Sequence, residues 1–331
     1  MNTTTPFQPL PRRALLLGLA ACAAGWSLPA RAADEWPSRP IRLIVPFSPG
    51  GATDIVARIV SQKLGEALKQ SVVVENRSGA NGMIGTEAVA RAAPDGYTLL
   101  LNTAGAQTLS PVLYKASYEP LKSFAPVSLI ANIGFVMVVN PKVPARSVKE
   151  FVELARSGKR HMSFAGGSSM VSLIGEQFKL NIGAPDMVNV QYKGTGPQMQ
   201  AVVGGEVDMT IDPFNSLEMI RAGKLRALGV LAEKRSPSLP DVPTMKEQGF
   251  DNMVFNSWAA LLAPAGTPPA IVQRLNAEMT KIVAMPDVRE QFAKIDYEPM
   301  GGTPEQLATL ITDDTARWRK IVKDTKFMAE P

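Results

Sequence analysis

The stretch IRLIVPFSPGGATDIVARIV, residues 41–60, decides the fold. Its first five residues are mostly branched and apolar, which predicts a strand buried on both faces. Pro46 ends this strand, because proline cannot continue a central hydrogen-bonding ladder. The Gly50-Gly51 pair predicts a tight turn that a side chain would obstruct. A helix then opens at Thr53, with its apolar residues on one face.

This strand–turn–helix unit predicts a cradle for an anion. Unpaired backbone N–H groups at a helix start and the positive end of the helix dipole point at the same spot. The alternative interpretation is a tight strand-to-helix connection that binds nothing. The segment by itself leaves both interpretations open.

The N-terminal segment PRRALLLGLAACAAGWSLPARA predicts an export signal. It has a basic start at Arg12-Arg13, an uncharged apolar run and a small-residue end at Ala30–Ala32, so we expect residues 1–32 to be cleaved off before Ala33. The arginine pair also fits the twin-arginine route. The alternative is a lipoprotein in which Cys22, in LAAC, becomes the lipidated first residue.

Signal removal changes what the composition indicates. It takes away three arginines and no acid, which lowers the formal net charge from +5 to +2. The high pI of the full chain therefore gives no support for nucleic-acid binding. The mature chain would have no cysteine, which excludes disulfides and thiol chemistry. Removing 32 of the 331 residues leaves 299, a length that predicts two lobes.

Strand and helix patterns alternate along the chain, which predicts α/β layers. Further strands are predicted at Val72–Val74, Tyr97–Leu101, Phe135–Val139, His161–Phe164, Val188–Tyr192, Val207–Ile211, Leu225–Leu231 and Ser257–Leu262. From Thr267 the chain is predicted to be helical, with a capping box at Thr303 starting a long helix. We interpret His161, the single histidine, as a core or edge residue of its strand.

Polar loops with glycines recur at the predicted carboxyl ends of strands. They cover residues 47–53, 102–105, 166–169 and 193–196. Ligands of open α/β sheets collect at these ends. Loops rich in glycine, serine and threonine and poor in acids predict a site that binds an anion through neutral donors.

Several motifs together resemble one family. They are WPSRPIRLIVPFSPGGATD, VENRSGANGMIGTEAVARAAPDGYTLL, YKGTGP, GGEVDM, GKLRALGV and LPDVPTMKEQG. They resemble the Bug family of periplasmic substrate-binding receptors of tripartite tricarboxylate transporters. The resemblance implies an α/β, two-lobed periplasmic-binding-protein fold of the Venus-flytrap, type II-like kind, each lobe a mixed sheet flanked by helices. It implies one lobe from residues 33–133 plus 256–331 and the other from residues 134–255.

The resemblance also implies that the first glycine loop and the second-lobe loop grip a ligand carboxylate, partly through ordered waters. The candidate substrate-binding residues, from these loops and from the resemblance, are Phe47, Ser48, Pro49, Gly50, Gly51, Thr53, Asp54, Thr103, Ala104, Gly105, Gly167, Ser168, Ser169, Gly194, Thr195 and Asp212. Two interpretations of Asp54 stay open, since its carboxylate could contact the ligand or could organise its own loop. Asp212 bonds across the cleft or caps a turn.

The implied function is capture of a small organic carboxylate, either an aliphatic di- or tricarboxylate or an aromatic acid. The receptor would deliver it to the membrane permease subunits of a tripartite tricarboxylate transporter. We expect a periplasmic monomer without metal or cofactor. A sensor that presents its ligand to a membrane kinase is the alternative.

A periplasmic hydrolase is the less favoured alternative. GGSSM, at residues 166–170, does not match the G-x-S-x-G nucleophile elbow. His161 is the single histidine of the sequence, so no other histidine could serve as the base. No His/Cys/Asp/Glu set has metal-ligand spacing. We therefore expect a binding protein without catalytic residues.

Overall fold

A computed structural model describes residues 36–328. The predicted signal peptide, its Cys22 and the cleavage point before Ala33 lie outside the described residues. The chain divides into two units, residues 1–38 and residues 39–331, and the fold below is that of the second.

Two mixed sheets organise this unit. Their strands, in chain order, are β1 (Ile41–Val45), β2 (Val72–Asn76), β3 (Thr98–Thr103), β4 (Phe124–Ile133), β5 (Val136–Val139), β6 (Ser163–Gly166), β7 (Val188–Gln191), β8 (Met209–Asp212), β9 (Arg226–Val230), β10 (Ser257–Pro264) and β11 (Tyr297–Pro299). The first sheet has the order β11-β4-β10-β3-β1-β2 and the second the order β7-β6-β8-β5-β9.

Helices flank both sheets. The α-helices are α1 (Ala52–Leu68), α2 (Met83–Ala90), α3 (Ser110–Leu113), α4 (Val148–Arg156), α5 (Ser169–Asn181), α6 (Thr195–Gly204), α7 (Leu217–Arg221), α8 (Pro269–Ala284), α9 (Pro286–Ala293) and α10 (Pro304–Thr325). Short 3₁₀ turns lie at Ala80–Gly82, Lys246–Gln248 and Asp251–Met253, and a π-helical turn lies at Gly105–Leu109. Among the described residues, none of these helices combines the length and the apolarity that a membrane span requires.

Strand direction is mixed in each sheet. In the first sheet β1 runs parallel to β2 and β3, whereas β10 runs antiparallel to β3 and β4, and β11 antiparallel to β4. In the second sheet β6 runs parallel to β7 and β8, whereas β5 runs antiparallel to β8 and β9. The α/β, two-lobed fold with a mixed sheet in each lobe is confirmed.

The chain visits the two sheets in three segments. Residues 41–133 and residues 257–299 supply the first sheet, and residues 136–230 supply the second. The chain thus leaves the first sheet after β4 and returns to it at β10. The lobe boundaries expected from the sequence, at residues 133/134 and 255/256, stay a prediction.

The stretch at residues 41–60 folds as its sequence predicts. Ile41, Leu43 and Val45 are fully buried in β1, which pairs with β2 on one side and β3 on the other. The apolar face of α1 is buried as well, with Val60 and Leu64 inaccessible to solvent. Burial of this face fixes where the N-terminus of α1 lies, directly beyond the carboxyl end of β1.

Other predictions from the sequence were wrong. Strands β4 and β11 lie in segments for which no strand was expected, and β11 interrupts the region predicted as helix from Thr267. His161 is exposed and precedes β6, so it is neither a core nor a strand-edge residue. The expected polar loop at residues 102–105 is the end of β3 followed directly by the π-helical turn.

The C-terminal helix α10 holds the segment through which the chain returns to the first sheet. The Trp318 ring stacks on Phe255 with the ring centroids 6.1 Å apart. The Arg317 guanidinium lies 4.6 Å from the centroid of the same Phe255 ring, and it donates a hydrogen bond to the Val254 carbonyl. One turn earlier, Asp314 accepts a hydrogen bond of 2.7 Å from Thr108 of the π-helical turn.

Candidate functional site

A cavity of about 620 Å³ is lined by residues of both sheets and their loops. Strands β1, β3, β6 and β8 direct their carboxyl ends toward it. Antiparallel neighbours direct their first residues to the same edge, as Ser257 of β10 and Tyr297 of β11 show by pairing with Ile133 at the end of β4. Sheet topology therefore gathers the ends of many strands around one space.

The first-lobe loop turns on Gly50. Its φ is +82°, a conformation that side chains with a Cβ rarely adopt. Gly51 has φ −77° and ψ 165°, which any residue adopts. The expectation that the turn needs a glycine at both positions of the pair was therefore wrong for Gly51. Gly51 is instead the N-cap of α1, which begins at Ala52 with no side-chain cap. The first N–H groups of α1 therefore lack a capping side chain at the cavity wall.

Asp54 lies behind this loop and does not line the cavity. It is 2% exposed and accepts hydrogen bonds from the Gly50 N–H and from Asn76 Nδ2, each at 3.0 Å. Arg58 adds a third donor at 2.8 Å. Burial raises the pKa of Asp54, but the hydrogen bonds from Arg58, Gly50 and Asn76 together hold the pKa below the ordinary 3.8. This geometry gives Asp54 the role of organising the loop.

The second-lobe loops pack tightly against each other. A Cβ on Gly167 would lie 1.9 Å from Gln198 Oε1 and 2.8 Å from the Gly194 carbonyl oxygen, so a glycine is required there. Ser168 caps α5 by accepting a hydrogen bond from the Val171 N–H at 3.3 Å. Helix α6 begins after Gly194 (φ +101°) and has no side-chain cap.

The electrostatics of the cavity come from neutral groups. None of the described residues that line it is Asp, Glu, Lys, Arg or His. The N-termini of α1, α5 and α6 all reach it, and each brings the positive end of a helix dipole. The N–H groups that open α1 and α6 have no capping side chain. Across residues 36–328 no cluster of three or more His, Cys, Asp or Glu side chains is placed to hold a metal ion.

Most of the predicted substrate-binding residues line this cavity. Those that line it are Phe47, Ser48, Pro49, Gly50, Gly51, Thr53, Thr103, Gly105, Gly167, Ser168, Ser169, Gly194 and Thr195. Asp54, Ala104 and Asp212 are buried outside the lining. Ligand contact by any of these residues stays a prediction.

Asp212 is the buried carboxyl group of β8, directly before Pro213 in the lining. It is fully buried and accepts a hydrogen bond from the Ser216 N–H at 2.8 Å, which caps the turn after the strand. Burial raises its pKa above the ordinary 3.8, against the lowering effect of its hydrogen bonds. The hydrogen bond from the Ser216 N–H therefore supports a turn-capping role for Asp212.

Sequence reasoning missed part of the lining. The missed residues with polar or aromatic side chains are Asn81, Ser110, Phe135, Asn215, Ser257 and Tyr297. Ser257, Tyr297 and Phe135 lie at or just before the first residue of antiparallel strands. The rule that ligands collect at the carboxyl ends of strands does not apply to these residues, because they lie at the amino ends. They could have been found only if the antiparallel direction of these strands had been predicted.

Comparison with known proteins places this site in context. The family model described as tripartite tricarboxylate transporter family receptor matches residues 56–327. The protein BugT of Bordetella pertussis is 38% identical over 315 residues, which cover 94% of this chain and 96% of BugT.

Solved structures agree with that match. The periplasmic binding protein BugD superposes with a TM-score of 0.78 at 34% identity, covering 89% of this chain and 100% of BugD. Rpa4515 of R. palustris, solved with adipate, gives 0.81 at 33% identity, with 88% and 99% covered. MatC of Rhodopseudomonas palustris, solved with bound malate, gives 0.77 at 32% identity, with 87% and 100% covered.

Proposed function

The chain belongs to the tripartite tricarboxylate transporter receptor family, and on this premise we propose that it captures a small organic carboxylate in the cavity between its two sheets. Solute binding is the role of the family. The carboxylate class is the proposal for this chain.

One observation supports the proposal above all. The N-termini of α1, α5 and α6 reach a cavity in which none of the described lining residues is Asp, Glu, Lys, Arg or His. Two of these helices, α1 and α6, have a glycine N-cap and no side-chain cap. The third helix, α5, is capped by Ser168. An anion in the cavity would supply the acceptors that those glycines lack.

The size and chemistry of the lining suit a short organic acid. A cavity of about 620 Å³ lies in the usual range for small-molecule sites. Phe47, Ile133 and Phe135 offer apolar wall beside the polar loops. Adipate in Rpa4515 and malate in MatC support an aliphatic acid for this chain, and the aromatic wall suits an aromatic acid equally.

Binding without turnover belongs to the same proposal. The hydroxyl of Ser168 accepts from a backbone N–H, and the hydroxyl of Ser169 pairs with that of Tyr114. Neither serine has a histidine or carboxylate as its hydrogen-bond partner among the described residues, so the arrangement lacks the nucleophile–base pair of a hydrolase. Substrate passes from such a site unchanged.

Delivery completes the proposed role. We propose that the protein acts in the periplasm as a monomer and hands its ligand to the permease subunits of a tripartite tricarboxylate transporter. The family match and the resemblance to the periplasmic protein BugD support this assignment.

A thermal-shift screen tests the proposal. The panel pairs adipate, malate, citrate and benzoate with their uncharged amides. An acid present at a hundredfold excess over its Kd should add about 2.7 kcal/mol to the free energy of unfolding. Stabilisation by at least one acid and not by its amide is the expected result. Stabilisation by amides or amines alone would contradict an anion site.

A further inference from the structure

A row of hydrogen bonds joins the two lobes beside the cavity. Asn81 Nδ2 donates to Tyr114 Oη at 3.1 Å. Tyr114 Oη and Ser169 Oγ lie 2.9 Å apart. Asn81 follows β2 of the first sheet, whereas Ser169 opens α5 beside the second sheet, and both line the cavity. We call Asn81, Tyr114 and Ser169 the relay.

The backbone that presents Asn81 is unusual. Four consecutive residues have positive φ: Gly79 at +128°, Ala80 at +47°, Asn81 at +52° and Gly82 at +87°. Residues with a Cβ disfavour this region, so a run of this kind persists where its surroundings fix it. Ser110 Oγ fixes it from one side by donating to the Asn81 carbonyl at 3.3 Å.

Gly82 fixes the same turn from the other side. A Cβ there would approach the Cβ of Ala106 to 2.7 Å, so the turn packs directly on the π-helical segment. The backbone that presents the exposed Asn81 side chain is consequently held in one place. An amide nitrogen donates and never accepts, so the oxygen of Tyr114 is the acceptor in its bond with Asn81.

We propose that Tyr114 is a positioning residue for ligand capture. Either hydroxyl can donate across the 2.9 Å contact between Tyr114 Oη and Ser169 Oγ, and we assign the donated hydrogen to Tyr114, whose oxygen also accepts from Asn81. Ser169 then directs its hydroxyl hydrogen into the cavity. Donors linked in series polarise one another, which makes the neutral Ser169 a better partner for an anion. The inference rests on the proposed function and deepens it.

Two consequences follow from this arrangement. First, the relay ties α5 to the first lobe, so that it favours the arrangement in which both lobes surround the ligand. Second, it sets the polarity of the site. A carboxylate offers acceptors on both oxygens, whereas a carboxamide offers one acceptor and brings its own donors against the hydrogen of Ser169.

The first test needs no ligand. Cys22 is replaced by Ser, and spin labels are attached to Gln62→Cys in α1 and Lys149→Cys in α4, which are exposed positions on the two lobes. Pulsed electron–electron resonance then measures the distance between the labels. Tyr114→Phe removes the hydroxyl and keeps the ring, and should increase the population at longer distances roughly two- to tenfold. Ser169→Ala should have the same effect.

The second test uses adipate and adipamide in calorimetric titrations. Tyr114→Phe should weaken adipate binding roughly two- to tenfold and change adipamide binding less. Ser169→Ala should do the same, and the double variant should lose no more than either single variant, because the two hydroxyls act in series. Tyr192→Phe, outside the lining, serves as the matched control and should leave both measurements unchanged. If adipate does not bind, malate with malamide or benzoate with benzamide replaces the pair.

The outcomes separate the two proposals. Additive losses in the double variant would overturn the relay. An unchanged distance distribution together with an unchanged acid-to-amide preference in Tyr114→Phe would overturn it as well. If the unmodified protein binds no acid of the panel, the proposed function fails, and the distance measurement alone decides whether Tyr114 joins the lobes. Equal melting temperatures of Tyr114→Phe and the unmodified protein will show that its effects do not reflect unfolding.

Discussion

Arg58 donates two hydrogen bonds to Asp54 from one turn further along α1, at 2.8 Å to Oδ2 and 3.3 Å to Oδ1. The same carboxylate receives the Gly50 N–H and the Asn76 side-chain amide. Asp54 thus connects the loop, the helix and β2, and it is not among the residues that line the cavity. An acid that lies next to the proposed anion site without repelling the ligand needs this kind of compensation.

We predict that Asp54→Asn lowers the free energy of unfolding by about 1–3 kcal/mol at pH 7, because an amide loses the charge-assisted bonds to Arg58. Carboxylate affinity should fall much less, since Asp54 only holds the loop in place. Denaturant unfolding and calorimetric titration measure the two effects. A complete loss of binding in a folded variant would show that Asp54 contacts the ligand.

The pH dependence of the same pair has a definite sign. The pKa of Asp54 is lower in the folded protein than the ordinary 3.8. Its contribution to stability is therefore fully present above pH 3.8 and is lost as the pH falls through the folded-state pKa. The difference between Asp54→Asn and the unmodified protein should shrink over that acidic range. A difference that stays constant down to pH 2 would contradict this account.

We predict that Gly50→Val impairs ligand binding more than Gly51→Ala. The φ of +82° at Gly50 disfavours a β-branched residue, so the substitution displaces the N–H groups at the start of α1. Displacing two charge-assisted bonds of about 1.5–3 kcal/mol each weakens binding by roughly two to four decades. A Cβ on Gly51 meets nothing nearer than the Ser48 carbonyl oxygen at 3.8 Å. Calorimetry with the best acid of the screen gives the comparison, and near-normal affinity in Gly50→Val would place the site elsewhere.

Gly167→Ala and Gly196→Ala form a matched pair. The first places a methyl group 1.9 Å from Gln198 Oε1 and should destabilise the protein by about 1–3 kcal/mol. The second substitution is inside α6, where a Cβ added at Gly196 would have no neighbouring atom within 4 Å. It should therefore be neutral or slightly stabilising. Thermal unfolding distinguishes them. Equal melting temperatures would mean that Gln198 and the neighbouring loop move aside for the methyl group at little cost in stability.

Asp212→Asn should stabilise the protein at neutral pH. Burial raises the folded-state pKa above 3.8, so the unmodified protein loses stability as the pH rises from 3.8 through that raised value. Each unit of the shift corresponds to about 1.4 kcal/mol. An asparagine keeps an acceptor for the Ser216 N–H and removes the buried charge. Urea unfolding from pH 3 to pH 8 tests this, and a variant less stable than the unmodified protein at pH 8 would show that the charge is needed.

The sequence predicts best what local patterns determine. β1, its glycine turn and α1 follow from residues adjacent in the chain, and so does the capping box at Thr303. β4 was missed because Pro126, Ser128 and Asn132 interrupt its apolar pattern. Its neighbours β10 and β11 cover these residues from elsewhere in the sequence, which no local window registers.

The site divides in the same way. Loops at the ends of parallel strands were found from the sequence, because a general rule places ligands there. Tyr297 and Ser257 were missed because they reach the cavity only through their pairing with Ile133. Gly50 and Gly51 show a third limit, since adjacent glycines look alike in sequence and only φ tells which one the turn requires.

The position of β10 has a consequence for the order of folding. It lies between β3 and β4, so the first sheet stays open in its middle until residues 257–264 have been made. The second sheet is complete once residue 230 is available, from one continuous segment. Pairings between segments distant in the chain form slowly because a long loop must close first. The lobe that begins the chain is thus the last to be finished, and a nascent chain halted before residue 257 holds a complete second sheet beside an unfinished first one.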